Sequence, residues 1–416
     1  MAEKSELIIQ NTNFRDYLNN LFLKRKFNHD YNKIYNGNKA IIQNNINRNI
    51  IKKRNPAVDL VRILGSWSII IHHILTHGLV LKKYNNCKIL NFINICSFWH
   101  VNSFALISGI IGYKTNKYSN LIYLWFCVVF YQIGILFFYI LFKKNININT
   151  NYFCSFFPVI YSKYWYVTKY FGMYLFLPII NKGIVNITKI EHKILIFSFY
   201  GLFIIWNDCN NPEYNVFGLN NGYSILWLII SFITGAYIEK YKIYYIKERK
   251  FINCLIFLTI YIFSCCICYK FQYYEIKSLK ITLTEKIIKI IKNLFIMRIN
   301  SIPMILQSIS IISLVMNIRY NKYIGRFICF FGPLTFGIYI IHEHEIIREK
   351  FIKNLFARDS NQLKKIIIVK LLFIRSIYIF IICSFIDYLR YIFFEYFLKM
   401  KKICIFIEKN IFKLCS

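Results

Sequence analysis

The sequence predicts an all-α fold, a polytopic bundle of about ten helices spanning a lipid bilayer. Three observations point there. Hydrophobic residues make up 57% of the 416 and charged ones only 17%, where a soluble domain carries about 25% charged. The mean hydropathy is positive, +0.42. Several stretches of about 20 residues carry no charge, enough to cross ~30 Å of hydrocarbon as helix. With 15 Gly and 6 Pro and an abundance of Ile, Phe and Tyr, disorder, collagen and a small disulfide scaffold are excluded.

Residues 1–54 form a polar, Asn-rich leader with 11 Lys and Arg against 4 acidic residues. It is expected to be a cytosolic tail, partly disordered or lying on the lipid surface. No signal peptide is visible, and Glu3, Glu6, Asp16 and Asp30 argue against a transit peptide. A membrane domain over 55–398 then holds spans at 58–79, 92–112, 119–142, 164–180, 194–206, 223–238, 251–269, 299–316, 327–342 and 366–386. Helix is required because lipid offers no partner to an open backbone, and the runs exceed the 9–11 residues of a barrel strand. Residues 399–416 read as a basic tail. The basic leader and the Lys and Arg of 240–250, against a loop at 207–222 without any, place the N-terminus in the cytosol.

The formal net charge of +34 would suggest nucleic acid for a soluble protein. Here the Lys and Arg sit in tails and loops between apolar runs, where they meet anionic head groups, so no nucleic-acid partner is expected. The 13 Cys are mostly inside apolar runs and lack zinc-site spacing. They read as small hydrophobes, with a bridge among Cys87, Cys96, Cys154 and Cys209 left open.

Ionisable residues within a span usually face a cavity and do work. The first span carries Asp59, Arg62, His73 and His77. Arg62 and His73 are 11 residues apart, about three turns, which sets them on nearly one face about 16 Å apart. Asp59 can pair with Arg62, and His77 is one turn beyond His73. An interfacial anchor explains Asp59 and Arg62 equally well; His73, deep in the run, favours function. Asn102, Ser103 and Ser108-Gly109 read as helix glue or as site residues. The cluster Tyr164-Trp165-Tyr166 with Tyr170 fits an aromatic belt. His342-Glu343-His344-Glu345 closes the ninth span; position 346 is Ile, so the HExxH zinc pattern fails, and no metal ligand set is expected. No GxSxG, Walker loop or dinucleotide fingerprint occurs.

The run from Asp59 and Arg62 through His73 to His77-Gly78 resembles the opening of the acyltransferase 3 family of integral-membrane O-acyltransferases, especially its surface-polysaccharide branch. The family's Arg, ten residues, His pattern falls on Arg62 and His73. The similarity continues in order through Val101-Asn102 to Ser108-Gly109, Tyr164-Trp165-Tyr166 to Asn181, Gly222 to Trp227 with Gly235-Ala236-Tyr237, and Phe331-Gly332-Pro333 to His342-Glu343. Lys114 and Lys117 stand where some relatives carry an Arg-x-x-Arg pair, and Lys cannot reproduce the Arg fork on phosphate.

The resemblance implies transfer of an acyl group, usually acetyl from acetyl-CoA, onto a hydroxyl of a glycan or lipid-linked sugar, with no cofactor held permanently. On that footing His73 is expected to act as base or transient acyl acceptor, aided by His77, with Arg62, Lys114 and Lys117 on the donor phosphates. Asp59, Asn102, Ser108, Trp165, His342 and Glu343 are the expected substrate-binding residues. A lipid or amine acceptor is the nearest alternative. A transporter is the alternative outside enzymes, although no repeated, Gly/Pro-broken halves are visible.

Overall fold

The computed structural model describes residues 54–415 apart from 86, 116, 143–153, 207–216, 274–289 and 361. The leader, Cys209 and much of the 207–222 and 270–298 loops lie outside that set. Among the described residues the structure is helical, with no strand.

Every predicted span falls on helix. The first is α1, Pro56–Thr76. Its start is dictated locally: the Asn55 carboxamide oxygen accepts the Ala57 N–H at 3.0 Å, and Pro56 occupies the first turn, where its missing N–H costs nothing. The second span is broken into α2, Lys88–Ser97, and α3, His100–Gly112; α4 follows at Tyr118–Phe142. Next come α5, Trp165–Asn186, and α6, Lys189–Tyr200, which continues as a π turn through Gly201–Trp206. Thr188 and Glu191 cap α6 reciprocally. The remaining spans are α7, Ile225–Lys240; α8, Lys250–Gln272; and α9, Ile302–Asn317. The ninth span divides into α10, Lys322–Phe331, and α11, Thr335–Glu343, around a short turn at Gly332–Leu334. The last is α12, Lys365–Ile392.

Six stretches among the described residues are long and apolar enough to cross a bilayer: α1, α2 with α3, α4, α8, α10 with α11, and α12 continued to Phe397. Against the expected count of about ten, six stretches of full spanning length are thus found among the described residues. Helices α7 and α9 have 16 residues each, and α5 carries Lys169, Asn181 and Lys182.

Two boundaries differ from expectation for electrostatic reasons. The tenth span, α12, passes the expected end at 386, where the charges beyond it neutralise one another. Arg390 donates to both oxygens of Asp387 at 2.8 Å and to Tyr123 Oη at 2.9 Å, while Tyr131 Oη donates to Asp387 at 2.6 Å. A buried pair so fully bonded is tolerated in a low-dielectric interior. Residues 399–416, expected as a tail, contain helix α13, Met400–Cys415, which buries Met400 and Cys404 against α4. Glu408 accepts the Tyr118 N–H at 2.7 Å and Lys401 pairs with Glu395 at 3.0 Å, fixing that helix in place.

Helix α1 is the hub, packed by α2, α3, α9, α10, α11 and α12. The closest crossing, α3 on α7, depends on reciprocal glycines: a Cβ on Gly109 would strike the Phe232 carbonyl, and one on Gly235 would strike that of Leu106. Where lipid is as apolar as the helix faces, such close approach supplies the association energy.

Candidate active site

Five of the chain's 8 histidines gather where the C-terminal ends of α1 and α11 meet the start of α3. The His73 ring lies 5.2 Å from that of His342, 4.9 Å from His77 and 5.8 Å from His72, which is 5.7 Å from His100. Regular helix explains much of this: His73 and His77 are one turn apart on α1, and His342 and Glu343 end α11.

Hydrogen bonding sets the tautomers. His342 Nδ1 lies 2.6 Å from the Ile338 carbonyl, which can only accept, so Nδ1 carries the proton and Nε2 keeps the lone pair. His73 Nδ1, at 3.1 Å from that Nε2, must then donate to it. In neutral His73 the lone pair is thereby placed on Nε2. Glu343 Oε2 approaches His73 Nδ1 to 2.9 Å as a charge partner, while Oε1 accepts from Arg348 at 2.9 Å. The side chains of His73 and Glu343 are only 14% and 10% exposed, so this charge acts through poorly screened surroundings. His100 and His72 are held similarly, by the Ser97 carbonyl at 2.6 Å and Asn94 Oδ1 at 2.8 Å.

The loop supplying Arg348 is pinned. Lys83 donates to the carbonyls of Phe356 and Asp359 at 2.7 and 2.6 Å, and Tyr84 to that of Ser360 at 3.0 Å. Arg375 forks onto Asp359 and holds its carboxyl below the usual carboxylate range.

A family model for an acyltransferase domain, that of acyltransferase 3, matches residues 55–386, from the cap of α1 nearly to Asp387. The chain belongs to the acyltransferase 3 family. It is accordingly a membrane acyltransferase. No curated protein and no solved structure matches it.

In this acyltransferase the predicted residues fall into two groups. His73, His77, His342 and Glu343 come together at the far end of α1. Arg62 and Asp59 lie toward its start, bonded at 2.8 Å, with Asp59 almost fully buried on the helix turn at Gly332, where a Cβ would collide with its carboxyl. Arg62 is within electrostatic reach of Tyr170, whose hydroxyl lies 3.3 Å from Ser108 Oγ. Lys114 and Lys117 are exposed on the turn after α3, at the same end.

Asn102 and Trp165 stand apart from both groups. Asn102 donates to the Ile299 carbonyl at 2.8 Å and accepts from Trp227 Nε1 at 2.9 Å, so the fully engaged amide joins α3 to α7 and to the chain before α9. Trp165 packs on Tyr223 with ring centroids 4.4 Å apart. Sequence reasoning passed over His100 and Arg348 entirely and gave His72 no role. His100 stands two residues before Asn102, inside the expected 92–112 span but just ahead of the stretch singled out, and its ionisable side chain in an apolar run was the available signal. Arg348 carried none, because it lies beyond the expected span and reaches Glu343 only through the helix break at His344.

Between the two groups runs a file of tyrosines. Tyr166 stacks on Tyr170 at 6.3 Å, and Tyr339 lies 6.2 Å from the His342 ring. Tyr166 and Tyr339 are within electrostatic reach of one another, and both hydroxyls are sealed from solvent with no hydrogen-bond partner. Two orphaned hydroxyls in one apolar interior are costly unless something polar passes between them.

Proposed function

We propose that this acyltransferase moves a short acyl group, acetyl above all, from acyl-CoA on the cytosolic side to a hydroxyl of a glycan or lipid-linked sugar, through a multi-pass membrane domain. The observation that carries the reading is His73, held through Nδ1 between His342 Nε2 and Glu343, with its Nε2 lone pair unspent.

Arg62 and the loop amines of Lys114 and Lys117 meet the donor phosphates. The donor's amide-bearing arm lies along the tyrosine file, where Tyr166 and Tyr339 gain the partners they lack, and covers the roughly 16 Å from Arg62 to His73. His73 Nε2 takes the proton of the acceptor hydroxyl as its oxygen attacks the thioester carbonyl. The carbon–sulfur bond then breaks, and the proton passes from the imidazolium to the departing thiolate. Glu343 stabilises the imidazolium while it lasts, itself held by Arg348. His77, at the exposed mouth, orients the acceptor. Acyl-CoA is thus a co-substrate, and no permanently bound cofactor is needed.

Purified protein in detergent, given acetyl-CoA labelled in the acetyl group and a panel of glycan, lipid and amine acceptors, tests this. Label on a sugar hydroxyl supports the reading. Label on lipid or amine alone moves the acceptor class, and no label on any acceptor overturns it.

A further inference from the structure

One ring nitrogen each of His73 and His77 and one carboxylate oxygen of Glu343 lie within 4.8 Å of one another. Two imidazoles and a carboxylate are the three-ligand set that leaves an open fourth position on zinc. Spacing this close needs only small rotations to bring each donor to the ~2.0–2.2 Å that zinc demands. Glu343 Oε2 lies 2.9 Å from His73 Nδ1 in a residue only 9% exposed, while Arg348 fixes the other oxygen. A carboxylate oriented from outside, with its inner oxygen turned toward the imidazoles, is how supporting residues prepare a metal ligand. His77 is exposed and gives an ion its way in.

We propose that His73, His77 and Glu343 form a binding site for a divalent transition-metal ion of the zinc type, and that occupation of the site switches transfer off. Binding follows from the cluster alone; the inhibition rests on the base role of His73. A neutral imidazole has one lone pair, so whichever nitrogen takes the ion, none is left for the acceptor's proton. Hard ions such as Mg²⁺ prefer all-oxygen shells and are rejected by the imidazoles.

The test uses chelator-stripped, purified full-length protein titrated with Zn²⁺ and with Mg²⁺ by calorimetry, and with Co²⁺ as a coloured substitute, alongside acyl transfer. One Zn²⁺ per chain is expected, with a four-coordinate Co²⁺ spectrum, weakened at least tenfold by His77→Ala and by Glu343→Gln. No binding of Zn²⁺, or binding unchanged in both variants, overturns the proposal. His77→Ala alters only an exposed helix end, so it tests the site without threatening the fold. Activity should fall in step with occupancy and return with chelator. Binding at the site with transfer unaffected overturns the switch, and with it the base role of His73, while leaving the ion site standing.

Discussion

Replacing Glu343 by Gln removes one negative charge while keeping the shape of the side chain and an oxygen for Arg348 to bond. In the wild type that charge lies 2.9 Å, oxygen to nitrogen, from His73, or roughly 4 Å between charge centres. At an effective dielectric near 20, its attraction for an imidazolium is about 4 kcal/mol. The charge acts on the state in which His73 holds the proton, so the loss falls there. At about 1.36 kcal/mol per decade, the ceiling is roughly a thousandfold in kcat, and partial rearrangement toward water sets the expectation at about a hundred- to a thousandfold. The KM for the acyl donor should stay within about threefold, because Glu343 is at the opposite end of α1 from Arg62. The assay is initial-rate transfer from labelled acetyl-CoA by detergent-purified protein, with thermal unfolding to show that the variant folds. A kcat within about threefold of wild type refutes the charge-stabilised imidazolium.

The other tests separate positioning from binding. Arg62→Lys keeps the charge beside Asp59 but loses the planar fork, so the donor KM should rise about tenfold with kcat little changed; an unchanged KM removes Arg62 from the donor site. Gly337→Ala drives a methyl group into the Asp387 carboxyl and should destabilise by about 3 kcal/mol, seen as a lowered unfolding temperature in detergent. Asn102→Ala strands the Ile299 carbonyl and Trp227 Nε1 at a cost of about 2 kcal/mol or more. It should leave both substrate KM values intact, and a raised acceptor KM returns Asn102 to the binding site.

The spans were legible because hydropathy and backbone satisfaction in lipid are local constraints, and every predicted segment is helical. What sequence did not show was produced by pairing across the chain. Asp387 and Arg390 look like the end of a span until Tyr123 and Tyr131 are seen to complete their bonding. The 399–416 segment looks like a tail until Glu408 is seen on the Tyr118 N–H. Within the site, helical period placed His77 beside His73, and the resemblance supplied His342 and Glu343 as substrate contacts. The direct approach of those two to His73 needed α1 and α11 to end together. The same non-local packing makes Asn102 a clamp between helices, while a local break at His344 brings Arg348 back onto Glu343.

On this account His73, its Nδ1–H pinned on His342 and its Nε2 free, takes the proton of the acceptor hydroxyl. The direct measurement is the rate of acetyl transfer by His73→Ala beside wild type, with acetyl-CoA binding measured on both. Retained donor binding with transfer lowered by about 10² to 10⁴ is the predicted result. Transfer within about threefold of wild type contradicts it.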